Sequence, residues 1–328
     1  MRVSSGVFQN QPDDRVFTSE FSRFGCHAQA KGAGMCVGCH AQAEGAGMCP
    51  DADNMAALRL AMAPMAPDCF LESNAGVNRT ALVLATHGSR TEPEVNRTIE
   101  TYAEQLAERT SFDEVLVAFH QGTPHFSQVL DQTDAEEIVI LPVMTSNGYY
   151  CAEVLPRELA KNGRYGNVRL HQTAPLGVDP RVWGLVAQRI KDLFAQQDVP
   201  AEHATVVIVG HGTQRHAASR NATLQLAAEL ANLNLAAEVL TGFLDDEPPI
   251  DSVVDRASHD SILIVPFLIA DGPHATDDVP ARVGMNAAAN QNLPYVATVA
   301  GRTVICDMPV GAYNGIVDIL AMMAEEAR

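Results

Sequence analysis

Three side chains in the C-terminal part of the chain have the types and placement to handle a metal ion. They are His211 in VVIVGHGT, Glu247 in GFLDDEPP and His274 in PFLIADGPHATDDVP. Each follows a short apolar run closed by a turn signal, which is how a buried parallel strand reads in sequence. Ligand crevices in open α/β sheets lie at the carboxyl ends of such strands. Two imidazoles and one carboxylate suit a divalent transition metal with open coordination positions. Glu247 could equally accept a proton.

Taken singly, a histidine after a strand more often has a structural role. A second, altered copy of the same pattern gives the trio its weight. Ala81–Arg90 reads ALVLATHGSR and places His87 where His211 stands, 124 residues earlier. Phe119 and Pro124 match Phe243 and Pro248 at that offset, and Pro142 and Pro156 match Pro266 and Pro280. Three landmarks at one spacing mark an internal duplication. The earlier copy keeps His87 but has Thr123 and Tyr150 in place of Glu247 and His274, so it reads as the supporting half with a degenerate site.

The elements that must position these residues alternate between strand and helix. In the first half, strands are expected at LVLAT, Glu114–Phe119, Glu137–Val143 and Val168–Thr173. Helices are expected at Glu94–Thr110, His125–Gln132, Cys151–Asn162 and Pro180–Gln196. The second half repeats this: helices Ala217–Leu233, Ile250–Ala257, Val279–Ala289 and Tyr313–Ala327 intersperse the strands Val206–Val209, Ala237–Phe243, Ile262–Ile269 and Tyr295–Ala300. Arg302–Cys306 reads as a stretch added after the last of these strands. The fold class is therefore α/β, with right-handed crossovers building a parallel sheet in each of two duplicated domains. The expected boundaries are 1–78 for an extension and linker, 79–200 for the first domain and 201–328 for the second.

The extension has its own chemistry. GCHAQAKGAGMC and GCHAQAEGAGMC repeat at a spacing of thirteen, bringing Cys26, Cys36, Cys39 and Cys49 within 24 residues. The Ala/Gly/Gln filler buries little surface, so order there calls for a metal. Four thiolates suit a [4Fe–4S] cluster or a Zn²⁺ ion. The alternative is a duplicated tail that binds nothing.

Composition bounds the partners. A net charge of −18 argues against nucleic acid, whose phosphates it repels. A hydrophobic content of 47% is enough for real cores. No apolar run approaches the ~20 residues of a membrane span. The first residues lack an apolar signal core, which makes the cytoplasm the expected compartment. The sequence leaves monomer and homodimer both open.

The spaced pattern V-x-x-x-H-G-[ST], F-x-x-x-E-P and P-x-L-x-x-x-G-x-H-x-x-x-D-x-P resembles the CbiX/SirB sirohydrochlorin chelatases. These are class II tetrapyrrole chelatases related to ferrochelatase, and the resemblance covers about residues 81–328. It implies ATP-independent insertion of Co²⁺, Fe²⁺ or Ni²⁺ into sirohydrochlorin, in cobalamin or siroheme biosynthesis. On that resemblance His211 and His274 handle the metal and Glu247 is the acidic partner. Ser89, Arg90, Thr213, Arg215 and Tyr150 are the candidates to meet the macrocycle and its carboxylates. A carrier that binds metal or tetrapyrrole without turnover would use the same residues.

Overall fold

The computed structural model describes residues 78–213, 216–269, 274–285 and 293–328, with His274 and Ala275 described by backbone alone. Cys26, Cys36, Cys39, Cys49, Arg215 and Asp271 lie outside the described residues. So does the end of the helix expected at Val279–Ala289.

Strands β1 (Thr80–Thr86), β2 (Glu114–Phe119), β3 (Glu137–Pro142) and β4 (Arg169–Gln172) form one sheet. It is parallel throughout, in the order β2-β1-β3-β4. Strands β5 (Ala204–Gly210), β6 (Glu238–Phe243), β7 (Ser261–Pro266), β8 (Tyr295–Val299) and β9 (Arg302–Cys306) form a second, in the order β6-β5-β7-β9-β8. The longer helices are α1 (Pro93–Ala107), α3 (Pro180–Gln196), α4 (Ala217–Asn232) and α7 (Ile316–Glu326). Three short ones, α2 (Leu155–Leu159), α5 (Val253–Arg256) and α6 (Val279–Arg282), complete the set among the described residues.

Alternation along the central strands layers these elements. Leu82 and Leu84 of β1, with Val206 and Ile208 of β5, join one core shared with α1, α3, α4 and α7. Ala81, Val83 and Ala85 face the other way and meet Val129, Leu130 and the α2 residues Leu155 and Leu159. Val207 and Val209 likewise meet Ile250, α5 and α6. The long helices therefore lie between the two sheets, and short helical turns cover the outer faces. Each fully buried Leu or Val contributes about 1.5–3 kcal/mol, so strands covered on both faces are apolar at every position.

The last helix of each half packs against the other half: α3 against α4, and α7 against α1 and β3. A polar cluster fixes this crossing. Arg189 of α3 donates through Nε (3.0 Å) and Nη2 (2.7 Å) to the fully buried Asp307. The Tyr313 hydroxyl donates to the same carboxylate at 2.7 Å. With this partner set the buried charge is compensated, as burial demands.

The last two strands correct the expectation. Glu137 pairs with Arg169 and its copy Ser261 pairs with Thr303, so β9 is the repeat of β4. The extra strand is β8, which runs antiparallel to β9 at the sheet edge, so the second sheet is not wholly parallel. Ala300 and Gly301 join them, both at positive φ (50° and 83°), and Val299 faces Arg302. Two such residues make a tight hairpin turn. Ala-Gly is a weaker signal for it than Asn-Gly, which is why the hairpin does not stand out in the sequence.

Several helices are also shorter than expected. His125–Gln132 retains one helical turn at Val129–Gln132, and Ile250–Ala257 breaks into Ile250–Ser252 and α5. Wide helical turns at Tyr150–Val154 and His274–Asp278 precede α2 and α6. Pro156 and Pro280 lie just after these turns. A proline has no N–H to give and its ring crowds the carbonyl four residues back, which favours a widened turn. The Leu155 N–H accordingly donates to the Tyr150 carbonyl five residues back. No described helix is long and apolar enough to cross a membrane.

Candidate active site

His87 and His211 sit where the two central strands give out, and the backbone there is the same twice. The Asp245 N–H donates to the His211 carbonyl at 2.8 Å, and the Gln121 N–H donates to the His87 carbonyl at 2.7 Å. Gly212 and Gly88 follow at φ 70° and 67°. A Cβ on Gly212 would stand 2.6 Å from Asp246 Cβ, and one on Gly88 2.8 Å from the Phe119 ring. The left-handed backbone and the lack of room together require glycine after each histidine.

In the second half the three expected residues follow three neighbouring strands: His211 after β5, Glu247 after β6 and His274 after β7. His274 opens the wide turn His274–Asp278, the copy of the turn that Tyr150 opens in the first half. The His211 side chain is about half exposed, with its Nδ1 3.0 Å from the Gly212 carbonyl and 3.4 Å from Asp245 Oδ2. Asp245, largely open to solvent, is the acidic group beside His211 that the sequence reading passed over in favour of Glu247. The run Asp245-Asp246-Glu247 was the available signal.

Glu247 is exposed and held by its backbone. Its N–H donates to Asp246 Oδ1 at 2.8 Å and its carbonyl accepts from Arg220. Arg220 also pairs with Asp246 and lies over the Phe243 ring. The peptide Glu247–Pro248 is cis, as is its copy Thr123–Pro124. The next helical turn begins at Ile250 behind Pro249, so Pro248 does not start a helix and Glu247 does not cap one.

The first half holds more than the sequence reading found. The His87 ring meets Tyr150 edge-on at 4.4 Å between centroids and lies 5.4 Å from His120. His120 is 5.0 Å from Tyr150 and 5.9 Å from His125. His120 and His125 stand in plain view in VAFHQGTPHF. Their counterparts at the 124 offset are Leu244 and Pro249, so the duplication gives no reason to select them. Desolvation, then His120, then His211 lower the His87 pKa; desolvation and His125 do most to lower that of His120. Both imidazoles are thus held neutral at neutral pH. The loop after β3 meets the second half, with His216 and Ala218 about 4 Å from the Cβ position of Gly148.

The remaining expected residues are placed as follows. Ser89 Oγ accepts from the N–H groups of Thr91 (3.3 Å) and Glu92 (3.1 Å), so its hydroxyl is engaged in the turn before α1. Arg90 is exposed, Thr213 is partly buried, and Tyr150 is 40% exposed at the mouth of the first-half cluster. His216 Nδ1 accepts from Ala218 N–H and caps α4. Burial raises the Cys151 and Cys306 thiols to about 11 and about 12, so neither presents a thiolate at neutral pH. Among the described residues no three His, Cys, Asp or Glu side chains close on one point.

Comparison with known proteins gives a consistent picture. The family model described as CbiX matches residues 81–193 and again 205–327. A probable sirohydrochlorin cobaltochelatase of Halobacterium salinarum is 29% identical over 220 residues, 61% of this chain and 75% of that protein. A sirohydrochlorin ferrochelatase of Bacillus subtilis is 27% identical over 172 residues, 51% of this chain and 63% of that protein, just under two thirds of its length. In fold, the chain is similar to CbiX, described as the terminal enzyme for biosynthesis of siroheme in denitrifying bacteria. The TM-score is 0.60 at 24% identity, covering 76% of this chain and all of that one.

Proposed function

The chain belongs to the CbiX family, and from that premise we propose that it inserts a divalent metal ion into sirohydrochlorin. The metal is the substrate: Co²⁺ first, with Fe²⁺ and Ni²⁺ as the other candidates. One observation carries the reading. His211, Glu247 and His274 leave the carboxyl ends of three adjacent parallel strands, with Asp245 beside His211.

In this reading the second half is catalytic. His211 and His274 replace water on the incoming ion, for which neutral imidazoles are suited. Asp245, 3.4 Å from His211 Nδ1, orients that ring and favours the nitrogen opposite as the donor to metal. Two pyrrole N–H protons must leave as the ion enters; in this reading Glu247 accepts one and solvent water takes the other. The first half supplies the facing wall, where Tyr150 and His87 offer ring edges to a flat macrocycle. Arg90 and, outside the described residues, Arg215 would meet its carboxylates.

For the repeat with Cys26, Cys36, Cys39 and Cys49 the proposal rests on sequence alone: an iron–sulfur cluster or Zn²⁺, separate from the insertion site. Iron, sulfide and zinc analysis of anaerobically purified protein, with Cys36→Ser as the control, tests it. The chelatase reading is tested by anaerobic incubation with sirohydrochlorin and each metal, following the macrocycle's absorbance. Metal-dependent conversion under turnover supports it. Binding of metal and macrocycle with no conversion would make the protein a carrier.

A further inference from the structure

The first half is called a degenerate copy because it lacks counterparts of Glu247 and His274. It nonetheless gathers three histidines of its own, and one of them is incomplete. His120 Nδ1 is closed off from solvent and has no hydrogen-bond partner. Buried polar atoms are nearly always satisfied, and an orphan calls for an explanation such as an ion or an ordered water.

The neighbouring rings favour an ion. Two imidazoles on one metal, with bonds of about 2.0–2.1 Å at a roughly tetrahedral angle, place their ring centroids roughly 5 Å apart. The His87 and His120 centroids are 5.4 Å apart, on rings tilted by 47°. His125 stands farther off, its ring 5.9 Å from His120 and its Nδ1 engaged by the N–H (3.3 Å) and hydroxyl (2.9 Å) of Ser127, so it is not counted among the ligands. Tyr150 packs on both His87 and His120, and His87 keeps an exposed face on which water can complete the coordination.

We propose that His87 and His120 form a second metal site that binds a borderline divalent transition metal such as Co²⁺, Ni²⁺ or Zn²⁺ through two imidazoles and water. Imidazole selects this class over Mg²⁺ or Ca²⁺. Two protein ligands hold such an ion loosely, and the loop leading to Tyr150 meets the second half at Gly148, so the ion waits on the side of the insertion site. That staging role rests on the chelatase reading; the binding does not.

The test is anaerobic Co²⁺ titration of the full chain without tetrapyrrole, read by equilibrium dialysis and visible d–d absorbance. Sulfur-to-cobalt bands in the near ultraviolet separate any ions held by cysteines. Wild type is expected to hold one more Co²⁺ equivalent than His120→Phe or His87→Gln, and His274→Ala is expected to keep that ion. His120→Phe preserves the ring and its packing, and circular dichroism with thermal melting verifies the fold of each variant. Unchanged stoichiometry and affinity in either first-half variant overturns the site, as does loss of the same equivalent in His274→Ala. If wild type shows this extra ion but no insertion activity, the site stands and the chelatase reading falls.

Discussion

The carboxyl ends of β1 and β5 begin alike and then part. Both present a histidine, a glycine at positive φ and a cis proline one strand over. Beyond these, the second half adds Asp245, Glu247 and His274, while the first half adds His120, His125 and Tyr150. One end is acidic; the other is aromatic and free of carboxylates at the matching positions. The backbone frame is thus a holder of strand-end residues, and the residues placed in it decide what each half does.

Breaking the acidic end should have the largest effect. His211→Ala is expected to fold yet lose roughly 10²–10⁴-fold in the initial rate of metal insertion, the scale of a lost positioned acid, base or ligand. Glu247→Gln should lose roughly 10²-fold, at the lower edge of that range. Near wild-type turnover in Glu247→Gln would move the proton-accepting role to a histidine. Asp245→Asn, which only orients His211, should weaken metal binding by about 10–100-fold.

The paired glycines sharpen the comparison because their backbone demands are equal. Gly212→Ala and Gly88→Ala should each cost about 1–3 kcal/mol in urea unfolding. Only Gly212→Ala should also reduce insertion strongly, since the added Cβ meets Asp246 and must shift the His211 loop. Equal losses of activity would show that both histidines serve the chemistry equally.

Away from both ends, Arg189→Met should cost about 3–5 kcal/mol by leaving Asp307 buried without its cation. Insertion per folded molecule should be unchanged.

The smallest effect concerns pH. His87 and His120 have pKa values below the ordinary 6.5 in the folded chain. As pH falls through 6.5 the unfolded chain takes up protons before the folded one does, so stability is present above 6.5 and declines below it. Melting temperature against pH should show that decline, and His120→Phe should flatten part of it. A slope unchanged by His120→Phe would contradict the burial assigned to that ring.

Much of this frame was legible in the sequence, and the parts that were not share a cause. The 124-residue offset located β1, β5 and the landmarks around them, because strands buried on both faces leave continuous apolar runs. The same offset misassigned β8 and β9, since an edge hairpin built on Ala300-Gly301 carries only a weak local signature. His120 and His125 went unselected because duplication points only to positions that recur. Asp245 was passed over because three consecutive acidic residues differ only in how the backbone aims them, and that is set by the pairing of Asp245 with His211. Residues brought together by neighbouring strand ends are a tertiary fact.

The central claim, that insertion belongs to the second half, is tested most directly at the matched pair His274 and Tyr150. His274→Ala and Tyr150→Phe should be compared in single-turnover insertion of Co²⁺ into sirohydrochlorin, with both proteins shown to be folded. The account predicts a loss of roughly 10²-fold or more for His274→Ala and a rate within a few-fold of wild type for Tyr150→Phe. A His274→Ala protein that inserts metal at the wild-type rate would contradict it.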